Sequence, residues 1–106
     1  MKRGAIYWVN LEPSVNPELG KVRPALVVSN TDQNEILGSI VVVPLSSQPN
    51  EIWPLRVELK IGKQKKSYAV IPGIRQVSKS RIGKVITTLP TAQMDRVAEA
   101  INLYLG

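Results

Sequence analysis

Apolar positions fall in short blocks separated by polar segments rich in proline, asparagine or glycine, the pattern of many short strands rather than a few long helices. Ala5 to Leu11 is bounded by Gly4 and Pro13 and predicts a first strand. Pro13 to Val22, with two prolines, Asn16 and Gly20, reads as a loop. After Arg23-Pro24 comes an unbroken apolar run, and Leu26 to Ser29 predicts a strand buried on both faces. Asn30 to Leu37 is polar and suits a turn or a short helix starting near Asn30 or Asp32. Ile40 to Leu45 predicts a third strand, and Ser46 to Trp53 a polar loop. Leu55 to Leu59 and Ser67 to Ile71 predict a hairpin with its turn at Gly62 and a tip carrying Lys60, Lys63, Lys65 and Lys66. Ile74 to Ser78 and Val85 to Leu89 flank the basic segment Lys79-Ser80-Arg81 as two further strands.

The periodicity changes only at the end. Pro90 stops the last strand, Thr91 is the expected N-cap, and Met94, Val97, Ala98, Ile101 and Leu105 recur at helical spacing with Tyr104 on the same face. The expectation is a mostly β chain of about six or seven strands, a small barrel capped by one amphipathic C-terminal helix. Two loops of ten and eight residues exceed what hairpin connections need, which makes both candidates for function.

At 106 residues the chain is expected to form one domain, 1–106. The net charge of +6 favours an anionic partner, nucleic acid first. With no cysteine and no histidine, thiolate chemistry, imidazole acid-base catalysis and the usual zinc sites are excluded. The eight acids are scattered without a paired motif, so no metal site is expected. No apolar run approaches the ~20 residues of a membrane span and none follows Met1 as a signal peptide would. A cytoplasmic location is the expectation.

Candidate chemistry gathers at the loop ends. Arg23 closes the first loop and Ser46-Ser47 opens the second, so a guanidinium and a hydroxyl can face one phosphate if the two strands are neighbours. Each has a simpler alternative: Arg23 anchoring its loop, paired with Glu18, and Ser46 serving turn chemistry after Pro44. Trp8 reads as core or interface packing, whereas Trp53 can stack on a base or pack on Pro54. The lysine-rich tip adds general phosphate attraction.

These residues bring a family into view. Lys2-Arg3-Gly4, Ile6-Tyr7-Trp8-Val9, Leu11, Pro13, Glu18, Arg23-Pro24-Ala25-Leu26-Val27-Val28-Ser29-Asn30 and Asn34 closely resemble the MazF/PemK toxins of bacterial toxin-antitoxin systems. Val42 to Ser47, Ile74-Arg75 and Lys79 to Ile82 resemble later signatures of that family. The resemblance implies an SH3-like barrel of the CcdB/PemK type, a homodimer, and an endoribonuclease that cleaves single-stranded mRNA without a metal or other cofactor. In such enzymes the ribose 2′-hydroxyl attacks the neighbouring phosphate, leaving a 2′,3′-cyclic phosphate and a 5′-hydroxyl. By position, Arg23, Ser46 and Glu18 match catalytic places, and Asn16, Pro17, Lys21, Ser47, Gln48, Trp53, Arg75 and Lys79 are the expected RNA contacts. An antitoxin with an acidic, apolar tail is the implied protein partner. The chain departs from the family at Asn16, often glycine, and at Pro72-Gly73, often an acid and glutamine. Preorganised Arg23 and Ser46 donors suit the charge that builds on the phosphate. Glu18, or a transiently neutral Arg23, competes for the role of proton acceptor. The rival class is a non-catalytic RNA- or protein-binding barrel, including a toxin aimed at a topoisomerase.

Overall fold

The computed structural model describes residues 1–13, 15–16, 18–62 and 65–106. Among them the elements run β1 (Ala5–Asn10), β2 (Val22–Val27), α1 (Thr31–Ile36), β3 (Ser39–Ser46), β4 (Arg56–Ile61), β5 (Lys65–Val70), β6 (Arg75–Ser78), β7 (Ile82–Thr88) and α2 (Thr91–Leu105). Short 3-10 turns occupy Ile71–Gly73 and Lys79–Arg81. The expected mostly β architecture with a terminal helix is what forms.

β3 organises the sheet. Its first half pairs with β6, from Ser39 opposite Ser78 to Val42 opposite Arg75, while its end pairs with β5 through Leu45–Ala69 and Ser46–Tyr68. Its other edge carries β2, then β1 and β7, giving the order β4-β5-β3-β2-β1-β7. Sharing one strand between two partners curls the sheet into a half-barrel with an apolar cluster on each face.

That arrangement explains the unbroken apolar run in β2. Successive strand residues point to opposite faces. Leu26 therefore joins Ile6, Val43, Leu45, Val57 and the α2 residues Met94, Val97 and Ala100, whereas Ala25 and Val27 join Val9, Leu11, Ile40, Val42 and Val77. Full burial of a leucine such as Leu26 stabilises the fold by roughly 1.5–3 kcal/mol.

The helices are fixed by polar contacts. The Asn30 side chain caps α1, accepting from the N–H groups of Asp32 (2.9 Å) and Gln33 (3.3 Å). Buried Asn34 spends its amide on the carbonyls of Met1 and Ser29 and accepts from Ser29 Oγ at 2.5 Å, so its burial leaves nothing unpaired. Gln93 docks α2 on β4 by accepting from the Lys60 N–H at 2.8 Å and donating to the Lys60 carbonyl at 3.3 Å.

Several expectations shift. β2 begins at Val22 rather than Leu26 and ends at Val27, so Arg23 and Pro24 lie inside the ladder, opposite Val9 and Trp8. β7 begins at Ile82, directly after the basic turn. Pro90, not Thr91, caps α2: its carbonyl accepts from the Met94 N–H, which puts Thr91 within the first turn. Tyr104 and Leu105 are exposed, because the last turn of α2 runs past the sheet that covers Met94 and Val97.

Candidate functional site

Arg23 and Ser46 come together at the open end of the β2–β3 pair. Ala25 faces Pro44 in the ladder, and Arg23 lies two residues before Ala25 as Ser46 lies two after Pro44. Both line a cleft of about 410 Å³, along with Ser47, Trp8, Pro24, Leu45, Ile61, Lys65, Lys66, Ser67 and Ile86. Among the described residues no acid lines it, whereas Arg23, Lys65 and Lys66 do, so the cleft favours an anion. Much of its remaining lining is apolar, from Trp8, Pro24, Leu45, Ile61 and Ile86.

The Arg23 guanidinium is steered by its own loop. Nε donates to the Gly20 carbonyl at 2.9 Å. Among the described residues the side chain makes no ion pair, so the expected alternative pairing with Glu18 does not form. The terminal nitrogens keep the two-pronged face that matches phosphate oxygens. Ser46 is held by a turn: its Oγ accepts from the Gln48 N–H at 3.2 Å. One lone pair is used and the hydroxyl proton remains to be donated elsewhere.

Glu18 lies elsewhere. It lines a second cleft, of about 560 Å³, with Pro13, Leu19, Pro44, Val70, Pro72, Gly73, Ile74 and Arg75. Its Oε1 accepts from the Val15 N–H, and its own N–H donates to the Val15 carbonyl, each at 2.7 Å. The two clefts share no lining residue; at the end of β3, Pro44 lines one and Leu45 to Ser47 the other. Glycine is needed at position 73 because an added Cβ would come within 2.6 Å of the Pro44 ring.

Basic side chains from β6 and from the turn before β7 pin the start of the first loop. Arg75 donates to the Leu11 carbonyl at 3.2 Å, and Arg81 to the carbonyls of Asn10 and Glu12. The Lys21 N–H donates to Glu12 Oε1 at 2.5 Å, with Lys21 itself in the left-handed region at φ 67°. Arg75 therefore both lines the Glu18 cleft and holds the loop that forms it.

The other expected RNA contacts scatter. Asn16 and Lys21 are exposed on the first loop, and Gln48 is exposed beside Ser47, while Pro17 falls outside the described residues, as does Lys63 of the basic hairpin tip. Trp53 does not line either cleft; it stacks against the Arg96 guanidinium, 4.6 Å from ring to Cζ, and Arg96 pairs with Glu51 at 2.5 Å. Hydrogen bonding from Arg96, and then from the Glu58 N–H, holds the Glu51 carboxyl below the usual glutamate range. Lys79 belongs to the turn after β6, where its N–H donates to the Gly38 carbonyl and its charge acts on Glu35.

Sequence reasoning missed Trp8, Lys65 and Lys66 as lining residues. Trp8 is 44% exposed, not core: it faces away from Tyr7 and Val9, and its ring lines the cleft. The signal for the lysines was the basic hairpin tip itself.

A family model described as PemK-like, MazF-like toxin of type II toxin-antitoxin system matches residues 2–105. Endoribonuclease EndoA of Bacillus subtilis is 33% identical over 110 residues, spanning 100% of this chain and 95% of the relative. MazF of Deinococcus radiodurans superposes with a TM-score of 0.86 at 25% identity, covering 100% of this chain and 96% of that one. A mycobacterial endoribonuclease solved in complex with its cognate antitoxin shares the fold at a TM-score of 0.83 and 24% identity, covering 100% and 95%.

Proposed function

The chain belongs to the PemK-like, MazF-like toxins of type II toxin-antitoxin systems, and on that footing we propose that it is an endoribonuclease cleaving single-stranded RNA. The observation that carries this reading is the cleft in which Arg23 and Ser46 stand at neighbouring strand ends, with no acid among its described lining residues. The ribose 2′-oxygen attacks the adjacent phosphorus, the bond from phosphorus to the 5′-oxygen breaks, and the products carry a 2′,3′-cyclic phosphate and a 5′-hydroxyl. Arg23 meets two non-bridging oxygens with its fork and Ser46 donates a further hydrogen bond, so both hold charge that grows on the way to the transition state. Lys65 and Lys66 supply sequence-independent attraction for the backbone.

An RNA strand laid across the end of β3 spans both clefts. Glu18 lines the other cleft, away from Arg23 and Ser46, so the 2′ proton passes to solvent water. The adjoining leaving oxygen takes its proton from water. The chemistry asks for no metal, which accords with a chain lacking histidine and cysteine. Asn16, Lys21, Ser47, Gln48 and Arg75 are the proposed RNA contacts around these clefts.

The protein partner is a cognate antitoxin with an acidic and apolar segment, matched to a cleft that joins three cations to Trp8, Ile61 and Ile86. A homodimer and action in the cytoplasm complete the proposal. Among the described residues no helix is long and apolar enough to cross a membrane. Incubating the purified protein with mixed-sequence RNA in excess chelator should yield discrete fragments, suppressed by the antitoxin. RNA left intact across many sequences would overturn the assignment.

A further inference from the structure

Ser46 is oriented by a turn, and that turn is gripped by a side chain that lines neither cleft. Arg56 opens β4 and reaches across the loop that follows Ser46. Its Nη2 donates to the Gln48 carbonyl at 2.6 Å and its Nε to the Asn50 carbonyl at 3.4 Å. Gln48 in turn directs its N–H to Ser46 Oγ at 3.2 Å. Beneath the guanidinium lies the Tyr68 ring, 5.5 Å from centroid to Cζ, and Tyr68 is the β5 residue directly opposite Ser46. Among the described residues Arg56 makes no ion pair. Its charge is spent on two backbone carbonyls.

We propose that Arg56 is a positioning residue for Ser46, acting through the backbone of Gln48. The inference rests on the assignment of Ser46 as a donor to the scissile phosphate. A serine hydroxyl is a rotor with one proton and two acceptor lone pairs. Once the Gln48 N–H occupies one lone pair, the O–H vector is restricted to directions away from that donor. Fixing the Gln48 and Asn50 carbonyls restrains the chain on the far side of Gln48 and so limits how far the turn carrying its N–H can move, and stacking on Tyr68 keeps Arg56 from swinging out of the loop. Arginine suits the task because two separate nitrogens reach two carbonyls while the flat face packs on a ring. An ammonium offers one point of attachment and no such face.

The test is a double-mutant cycle on single-turnover cleavage, run with RNA binding and backbone amide exchange on the full-length protein. Arg56→Ala should lower kcat by about tenfold to a hundredfold, the range expected when a reacting group is misplaced without being removed. RNA affinity should change little, and Arg56→Lys should restore only part of the rate. In the Ser46→Ala background Arg56→Ala should have almost no further effect, because the group it positions is gone. The Gln48 amide should exchange faster in the Arg56→Ala protein. Rate losses that multiply in the double variant, a raised KM with kcat unchanged, or unaltered Gln48 exchange would each overturn the proposal. If Arg56→Ala does not fold, Arg56→Lys carries the same cycle, since it keeps the charge and loses the two-point grip. If the unsubstituted protein leaves RNA intact, the functional reading fails by itself, and the Gln48 exchange comparison still decides whether Arg56 is the clamp.

Discussion

Arg23 stands two residues before Ala25 and Ser46 two residues after Pro44, so the Ala25–Pro44 pair of the β2–β3 ladder carries the two polar groups to the mouth of one cleft. The ladder fixes their spacing without any direct bond between them. Arg23 is aimed by Gly20 and Ser46 by Gln48, each through a local backbone contact.

If the pair stabilises charge on a phosphate, truncating either residue removes a donor that matters more in the transition state than in the bound complex. Arg23→Ala and Ser46→Ala should each slow single-turnover cleavage by about 10²–10³-fold. RNA affinity should fall much less. Parallel rate and equilibrium binding measurements check this, and equal losses in both would assign the residues to binding alone.

Lys65 and Lys66 line the same cleft, with Lys66 also 3.7 Å from Glu58. Replacing both with glutamine should flatten the dependence of log binding constant on log salt by about 0.7 for each phosphate that a lysine no longer neutralises. Cleavage at saturating RNA should persist. A titration series at several salt concentrations measures the slope directly.

Gly73→Ala tests the packing of the wall of the Glu18 cleft. The new Cβ would lie 2.6 Å from Pro44 Cγ, and Pro44 is locked in the ladder opposite Ala25, so neither side yields easily. Overpacking of this kind costs about 1–3 kcal/mol. The urea midpoint should fall with its slope unchanged; an unmoved midpoint would show that the ring can give way.

Much of this arrangement was legible in the chain, and the failures have physical causes. The apolar run after Pro24 marked a strand covered on both faces, Asn30 marked a helix start, and Gly62 marked a hairpin turn with φ +72°. These signals are local, set by alternation, capping and backbone freedom. What sequence could not give was which residues share a cleft. Trp8 and Tyr7 are adjacent aromatics that strand alternation sends to opposite faces, Tyr7 to the second core with Val9 and Ala25 and Trp8 to the cleft, and which face stays open at Trp8 depends on the tertiary packing. Trp53 was open to two readings until α2 brought Arg96 over its ring. Glu18 sits only five residues before Arg23, yet the turn at Val15 sends it to the second cleft.

The link between the second loop and α2 has an acid limit. Glu51 has its carboxyl held down by Arg96 first and the Glu58 N–H second. A depressed folded value means the contribution is fully present above the unfolded glutamate value near 4.5 and is lost as pH falls through the lower folded one. The stability advantage of the native protein over Glu51→Gln should therefore be constant near neutrality and shrink in acid. Both side chains are partly exposed, at 44% and 32%, so the advantage is modest and weakens with salt. Thermal unfolding of both proteins across pH checks it.

The chemistry of the cut ends tests the central claim most directly. RNA cleaved by the purified protein in chelator should carry 5′-hydroxyl ends that a kinase labels without prior phosphatase, and 2′,3′-cyclic phosphates visible as a loss of one water by mass spectrometry. Cleavage that leaves 5′-phosphates, or that appears only when a divalent metal is restored, would contradict a mechanism built on Arg23 and Ser46.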